Sequence, residues 1–256
     1  MYLLIPEHMK KLQITASSNV GLVRTNNEDM ILVRNKYVRD EDYETEIDLT
    51  ICDRLVVAVA DGMGGYEAGE VASQEVLTSL HFFLSDLPEK LSDEDFNEAI
   101  VDWINSINNT VNSQGRNDEA YRNMGTTLVG MLFYEHRIYW MNCGDSRIYR
   151  FRNGELEQLS TDHSFASIYG DHTLSNAITN CIGAGCTTTF IDLQDITDDI
   201  FSGDVFLICS DGMTDMVDDC HIERLLDIDC NASQLCHTAI DAGGYDNCSS
   251  CIVKIV

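Results

Sequence analysis

Two apolar segments of this 256-residue chain end in the same tripeptide, Asp-Gly-Met. "VVAVADGM" reaches it at Asp61, and "VFLICSDGM" reaches it at Asp211. Both segments are short, continuous and largely β-branched, which is typical of strands buried on both faces. Each strand would therefore fix a carboxylate at the edge of a sheet. The glycine that follows lets the chain turn sharply and brings a backbone carbonyl close to whatever the carboxylate binds.

Further acidic residues stand at comparable places in the chain. Asp246 of "GGYDNCSS" precedes the C-terminal strand, and Glu28 and Asp29 of "RTNNEDM" precede an N-terminal strand. Clustered carboxylates repel one another and lose hydration unless a cation compensates them. All-oxygen ligands suit hard cations such as Mg²⁺ or Mn²⁺. Any single Asp-Gly is ordinary turn chemistry, so the hypothesis of a metal site depends on the whole set.

The charge balance restricts the partners. The formal net charge is −27, from 43 acidic and 16 basic residues, and such a surface repels nucleic acid and anionic lipid. No apolar stretch reaches the roughly 20 residues that a bilayer requires. The N-terminal "MYLLIPEHMKK" carries its positive charge after the apolar patch, the reverse of a secretory signal. We therefore expect a cytoplasmic protein that binds neither nucleic acid nor membranes.

Ten cysteines are scattered along the chain, and only Cys248 and Cys251 form a Cys-x-x-Cys pair. A zinc site would need a second such pair, so reduced thiols acting as small core residues are the favoured interpretation. Cys209 and Cys248 lie beside candidate metal ligands and could make activity redox-sensitive, although ordinary strand positions are favoured for them too.

Hydrophobic periodicity predicts the secondary structure. Apolar residues at helical spacing predict a helix over "EAGEVASQEVLTSLHFFL" and a second one through Trp103, with Ser92 and Asp95 as its capping pair. Asn153-Gly154 predicts a tight hairpin. Runs of antiparallel strands with two long helices indicate an α+β fold. With two prolines and no flexible linker, we expect one domain over residues 1–256.

Seven short motifs occur in a fixed order from about residue 14 to residue 256: "GLVRTNNED", "VAVADGMGG", "GTTL", "CGDSRIYR", "TDHS", "LICSDGMTD" and "GGYDNCS". In this order they resemble the metal-dependent serine/threonine protein phosphatases of type 2C, in their short bacterial form. The resemblance implies a four-layer α-β-β-α sandwich of two antiparallel sheets flanked by helix pairs. It also implies hydrolysis of phosphoserine and phosphothreonine in proteins by a metal-bridged hydroxide in a binuclear Mn²⁺ or Mg²⁺ centre. A monomer that opposes a Ser/Thr protein kinase is the corresponding expectation.

The resemblance also assigns metal ligands. Asp61 would bridge the two ions. Asp211 and Asp246 would complete one ion, while Glu28 and the backbone carbonyl of Gly62 would complete the other.

Three further residues receive supporting roles. Asp29 would lie behind the ligands and orient metal-bound water, and Asp145 would join Asp211 at a weaker third-metal site. Arg24, four residues before Glu28, would hold two phosphoryl oxygens with its guanidinium group. The alternative for Arg24 is a surface ion pair with neighbouring acids.

Two features depart from the family pattern. Met63 stands where animal members carry a histidine proposed as general acid, so we hypothesise that water at a third metal held by Asp145 protonates the leaving oxygen. His163 of "TDHS" is favoured as a structural residue instead. The flap segment is short, "FASIYGDHTLS", which predicts an open channel and broad peptide specificity, with His172 facing solvent.

Two other classes of function are weighed against this enzyme. A catalytically weak relative could serve as a phosphoprotein-binding or regulatory module, but such proteins usually lose a metal-bridging carboxylate. A Ca²⁺-binding acidic domain of EF-hand type would carry a D-x-[DN]-x-[DN]-G loop, which the sequence lacks.

Overall fold

The computed structural model of the chain describes residues 11–64, 68–170 and 177–256. Its strands are β1 (Lys11–Asn19), β2 (Met30–Val33), β3 (Lys36–Val38), β4 (Asp42–Asp48), β5 (Arg54–Ala60), β6 (Gly62–Met63), β7 (Gly125–Thr126), β8 (Leu128–Tyr134), β9 (Arg137–Cys143), β10 (Arg147–Arg152), β11 (Glu155–Gln158), β12 (Ile182–Gly183), β13 (Asp192–Asp195), β14 (Val205–Cys209) and β15 (Cys248–Ile255). Its α-helices are α1 (Ala68–Asp86), α2 (Asp93–Asn117), α3 (Phe165–Tyr169), α4 (Asp211–Thr214), α5 (Asp219–Asp227) and α6 (Ala232–Asp241).

The strands form two large antiparallel sheets and one small sheet. The first large sheet has the order β11-β10-β14-β15-β1-β4, and the second has the order β13-β9-β8-β5-β2-β3. β6 follows β5 almost directly in the chain and belongs to a small three-stranded sheet with the order β12-β7-β6. β15, the last described strand, thus lies between β14 and β1. The first sheet therefore pairs strands from both ends of the described chain.

Alternating side chains along the central strands sort the core into layers. In β5, Leu55, Val57 and Val59 lie between the two large sheets, whereas Val56, Ala58 and Ala60 pack under α1 and α2. In β14, Phe206 and Ile208 enter the same central layer, whereas Leu207 and Cys209 pack under α5 and α6. The predicted α-β-β-α sandwich is therefore confirmed, and so is the burial of both strands on both faces.

The local predictions for helices and turns also hold. The Ser92 side chain accepts a hydrogen bond from the Asp95 N–H and begins α2, and Trp103 is buried in the layer beneath it. Asn153 and Gly154 have φ angles of 54° and 86° in the hairpin between β10 and β11. Eight of the ten cysteines are buried, which agrees with their interpretation as small core residues.

Some elements were not predicted. β4 is an acidic strand, "DYETEID", that pairs with β1 at the edge of its sheet, and its alternating exposure gives a weak hydrophobic signal. β3 and β13 are likewise short edge strands. Within the flap segment, residues 165–169 form α3, whereas His172 lies outside the described residues. Among helices in the described ranges, none has the length and apolar character needed to cross a bilayer.

Candidate metal centre

The predicted acidic residues meet at one edge of the sandwich because of strand register. Met30 of β2 lies opposite Ala60 of β5, so Glu28 and Asp29 come next to Asp61. In the other large sheet, Cys209 of β14 lies opposite Ser250 of β15, which brings Asp211, the first residue of α4, next to Asp246.

A hydrogen bond joins these two halves of the site. The Ser210 hydroxyl donates to Oδ2 of Asp29 at 2.8 Å, and both side chains are fully buried. Ser210 belongs to the Asp211 segment of one sheet, whereas Asp29 belongs to the Glu28 segment of the other. The bond therefore fixes the distance between the two groups of carboxylates.

Asn247 provides a second connection. Its side-chain oxygen accepts the Glu28 N–H at 2.8 Å, and its amide nitrogen donates to the carbonyls of Val20 and Asn26 at 3.0 Å each. Because Asn247 directly follows Asp246, the Glu28 loop is held against the start of β15. Sequence reasoning missed Asn247 and Ser210, although both stand beside the acidic residues in their motifs.

The backbone of Asp61 is held by two threonines that follow one another in the chain. The Asp61 N–H donates to Oγ1 of Thr127 at 3.1 Å, and the Asp61 carbonyl accepts the Thr127 N–H at 2.9 Å and the Thr126 hydroxyl at 2.8 Å. These bonds fix the backbone of Asp61, and its carboxyl group lies against that of Asp211.

Glycine at position 62 is required by close packing. A Cβ there would overlap the Gly69 carbonyl oxygen and lie 2.6 Å from the Glu28 carbonyl oxygen. The first turn of α1 therefore presses directly on this turn, and a Cβ at Gly69 would lie 2.8 Å from Cδ of Glu28. The Gly-Gly contact brings the Glu28 carboxyl group close to the Gly62 backbone.

The carboxyl groups destabilise one another in this arrangement. Burial, followed by the charges of Asp29, Asp211 and Asp145, raises the pKa of Asp61 well above its ordinary value. Burial raises the pKa of Asp29 to about 7, with the charges of Asp211 and Asp246 acting in the same direction. Such pKa shifts mean that ionising these carboxyl groups costs free energy, first through lost hydration and then through repulsion, and a bound cation would lower that cost.

The same effect extends to Asp145, which lies in the turn between β9 and β10. Burial and the Asp211 charge raise the pKa of Asp145 to about 7. Asp145 and Asp211 both line a cavity of about 530 Å³, with Asp215 and the first residues of α3 on its other walls. One oxygen of Asp145 and one of Asp29 are buried without a hydrogen-bond partner. Unpartnered buried oxygens of this kind suit coordination to a hard cation.

The carboxyl groups are neighbours, but they do not form a complete set of metal ligands. Within the described ranges, no three acidic, histidine or cysteine side chains already converge as metal ligands. Asp246 instead accepts a hydrogen bond from Arg24 at 2.6 Å, in an exposed ion pair. The surface ion pair considered for Arg24 is therefore present, and its partner is one of the predicted ligands. The donor types and the unpartnered oxygens nevertheless fit Mn²⁺ or Mg²⁺.

His163 has a structural role, as favoured from the sequence. Its Nδ1 accepts the Gly144 N–H at 3.1 Å, so the proton resides on Nε2, which donates to Asp192 at 3.0 Å. The ring is buried and holds the turn that carries Asp145. Met63 lies in β6 opposite Gly125 and supplies no proton donor.

A four-layer sandwich with carboxyl groups of four chain segments near one edge is an arrangement that suits hard cations with oxygen ligands. The model of the protein phosphatase 2C family matches residues 43–232, which is most of the chain. The chain belongs to the protein phosphatase 2C family. The matched residues include Asp61, Asp145 and Asp211, whereas the Glu28 segment and Asp246 lie outside them.

Individual relatives agree with this family. The serine/threonine protein phosphatase PstP of Mycobacterium tuberculosis is 30% identical over 96% of this chain, which spans 45% of PstP, or about half its length. The protein phosphatase PhpP of Streptococcus pneumoniae is 29% identical, and the match covers 95% of this chain and 98% of PhpP.

Solved structures give the same result. The serine/threonine phosphatase of S. agalactiae superposes with a TM-score of 0.79 at 25% identity, covering 96% of this chain and 100% of that one. The catalytic domain of PstP, solved in complex with two manganese ions, superposes with a TM-score of 0.74 at 29% identity and covers 96% and 99% of the two chains.

The raised pKa of Asp145 predicts a pH-dependent stability of the metal-free protein. A carboxyl whose pKa rises from 3.8 to about 7 on folding stabilises the fold below pH 3.8, and this contribution is lost as the pH rises through 7. Asp145→Asn should therefore raise the free energy of unfolding at pH 8 by on the order of 1–2 kcal/mol, and by less at pH 5.

Urea denaturation in EDTA at both pH values would measure this difference, with Asp102→Asn on the exposed face of α2 as the control. An Asp145→Asn variant that gains equal stability at pH 5 and pH 8 would contradict the prediction. With excess Mn²⁺ the difference should become smaller, because an ion at the third site would stabilise only the protein that retains the Asp145 carboxylate.

Proposed function

We propose that this chain hydrolyses phosphoserine and phosphothreonine in proteins with two bound Mn²⁺ or Mg²⁺ ions. The observation that supports the proposal is that acidic residues of four chain segments lie near one another at one sandwich edge in a protein phosphatase 2C family member. The two manganese ions in the related PstP structure support the choice of metal. Residues 1–256 would form a single catalytic domain, with its motifs from about residue 14 onward.

The ligands would be those that the sequence suggested. Asp61, Glu28 and the Gly62 carbonyl would hold one ion, and Asp61, Asp211 and Asp246 would hold the other. Two such ions, when bound, supply activation of water and neutralisation of charge on the phosphoryl oxygens.

Two buried or half-buried carboxylates support these ligands. Asp29, held by Ser210, would orient them from behind, which fits its complete burial. Asp145 would act with Asp211 at a weaker third site on the wall of the 530 Å³ cavity, beside the leaving oxygen.

Arg24 would bind the phosphoryl group. Its guanidinium group now donates to Asp246 and is otherwise exposed at the mouth of the site. An ion at Asp246 would compete with the guanidinium for the negative charge of that carboxylate and so weaken the ion pair. A planar guanidinium can then hold two phosphoryl oxygens in one orientation.

Exposed apolar residues beside Arg24 favour a protein substrate over a small phosphate ester. Leu22 and Val23 are 69% and 60% exposed, and Tyr245 is 64% exposed. The Leu22 N–H donates to the Gly244 carbonyl at 2.8 Å, which keeps the two segments side by side. A peptide whose phosphate reached Arg24 would lie against these side chains and cover apolar surface.

The alternative is a phosphoprotein-binding or regulatory module. It is disfavoured because every acidic position expected for catalysis is occupied by a carboxylate and held by hydrogen bonds or register. A Ser/Thr protein kinase or its substrates would be the corresponding partners, and the catalytic unit would act as a monomer.

Metal dependence tests the proposed function directly. Hydrolysis of p-nitrophenyl phosphate and of a phosphothreonine peptide should require Mn²⁺ and stop in EDTA. Asp211→Asn should lower kcat/KM about 100-fold, since it removes one charged ligand and roughly 2.7 kcal/mol of transition-state stabilisation. Asp102→Asn is the matched control and should retain full activity. Mn²⁺ binding without hydrolysis of either compound would instead favour the regulatory module.

Arg24 should contribute to substrate binding and orientation and not to metal binding. Arg24→Ala should lower kcat/KM for p-nitrophenyl phosphate by about 10- to 100-fold, the value of losing a charge-assisted hydrogen bond. Mn²⁺ affinity, measured by calorimetry, should rise or stay constant, because Asp246 loses its competing partner. Weaker Mn²⁺ binding by Arg24→Ala would be inconsistent with this role.

The apolar residues should distinguish peptide from small ester. Leu22→Ser and Tyr245→Ser should each lower kcat/KM about fivefold on a phosphothreonine peptide with a flanking leucine, since about 1 kcal/mol of apolar burial is lost. Hydrolysis of p-nitrophenyl phosphate should not change. Ile51→Ser, an exposed residue at the opposite end of β5, is the control. Equal losses of kcat/KM on both substrates would show that these side chains affect the active site itself and not the binding of the peptide.

A further inference from the structure

Two cysteines outside the metal centre lie in direct contact. The sulfur atoms of Cys181 and Cys186 are 3.4 Å apart. A disulfide has an S–S distance of about 2.05 Å, so the sulfurs would need to approach by only about 1.4 Å to form one. Cys181 is buried, whereas Cys186 is partly exposed and can be reached from solvent.

Two asparagines of α2 hold this loop in place. The N–H groups of Gly183 and Gly185 donate to Oδ1 of Asn108 and Asn112, each at 2.8 Å. Both asparagine amides donate in turn to the Cys186 carbonyl, at 3.1 and 2.9 Å. The two sulfurs are therefore positioned by a fixed loop, so bond formation needs little further ordering of the chain.

The other cysteines are less suited to oxidation. Cys209 and Cys248, considered from the sequence, are 0% and 1% exposed and lie beneath the helices. Cys143 is also fully buried, and its sulfur contacts Thr189 and Asn180. Within the described ranges, the cysteines do not form a set of metal ligands either. Cys236 and Cys248 also lie against each other, but each is only 1% exposed. Among the described cysteine pairs in contact, Cys181 and Cys186 are therefore the pair that includes a partly exposed thiol.

The loop is connected to the metal centre through the small sheet. Ile182, next to Cys181, lies opposite Thr126, and Thr126 lies opposite Gly62. The Thr126 hydroxyl also donates to the Asp61 carbonyl at 2.8 Å. A shift of Cys181 would thus reach the backbone of two proposed metal-binding residues through one intervening strand.

We propose that Cys181 and Cys186 form a reversible disulfide when a peroxide oxidises the protein, and that this disulfide weakens Mn²⁺ binding. Formation of the disulfide is inferred from the thiol contact alone, whereas its effect on Mn²⁺ binding rests on the proposed function.

The chemistry balances with hydrogen peroxide as oxidant. The Cys186 thiol loses its proton, its thiolate attacks one peroxide oxygen, and the O–O bond breaks to leave a sulfenic acid on the sulfur. The departing hydroxide takes up the proton lost by the thiol and leaves as water. The Cys181 sulfur then attacks the Cys186 sulfur, forming the S–S bond, and the hydroxyl leaves as water with the Cys181 proton. Two thiols are oxidised and one peroxide is reduced to two waters. A thiol reductant reverses the step by exchange.

The test uses the full chain, treated with hydrogen peroxide and then alkylated. Peptide mass mapping should find residues 181 and 186 linked, with loss of two hydrogens, and reversal by dithiothreitol. Cys186→Ser should abolish the link, and Cys220→Ser, at an exposed cysteine, should leave it unchanged. Calorimetry should show Mn²⁺ binding about fivefold weaker in the oxidised wild type, and unchanged by peroxide in Cys186→Ser.

The possible results distinguish between the disulfide, its coupling to the metal centre and the proposed function. Absence of the 181–186 link in the peroxide-treated wild type would overturn the proposal. A link without any change in Mn²⁺ affinity would overturn its coupling to the metal centre. Failure of the reduced protein to bind Mn²⁺ would count against the proposed function, while the mass measurement would still decide on the disulfide.

Discussion

The burial of several neighbouring carboxyl groups at one sandwich edge is the constraint on which the rest of the structure depends. Left to themselves, these groups would separate or take up protons. The fold prevents separation with rigid strands on both sides of the site and with bonds that tie the sides together, chiefly Ser210 to Asp29 and Asn247 to Glu28. Burial of β5 and β14 on both faces supplies the rigidity, because neither strand can shift without disturbing two core layers.

Much of this could be predicted from the sequence because it is locally encoded. Asp61 and Asp211 follow strands whose continuous apolar character is visible in the chain, and the ordered motifs supply the remaining acids. The connections between them could not be predicted in the same way. Ser210 and Asp29 are 181 positions apart and Asn247 and Glu28 are 219 apart, so their contact depends on sheet order and register. The acidic edge strand β4 escaped prediction for a different reason, since its pairing with β1 and not its composition makes it a strand.

Under the proposed function, the ion pair between Arg24 and Asp246 would connect metal binding with phosphate binding. Without an ion, the guanidinium neutralises one carboxylate and so reduces the repulsion at the site. An ion at Asp246 would weaken this pair, which would let the same guanidinium turn toward a phosphoryl group. One arginine could thus stabilise the metal-free protein and bind substrate in the metal-loaded one, although a pair this exposed contributes little to stability by itself.

A site of this kind opposes the stability of the fold that carries it. The raised pKa values of Asp29 and Asp145 mean that ionising these groups near neutral pH costs folding free energy in the metal-free chain. A bound cation would stabilise the folded protein and offset this cost, so metal affinity and fold stability would be linked through the same carboxylates. Substitutions that remove these carboxyl groups would stabilise the metal-free sandwich and disable the site together. The same carboxylates that destabilise the fold also attract the ion.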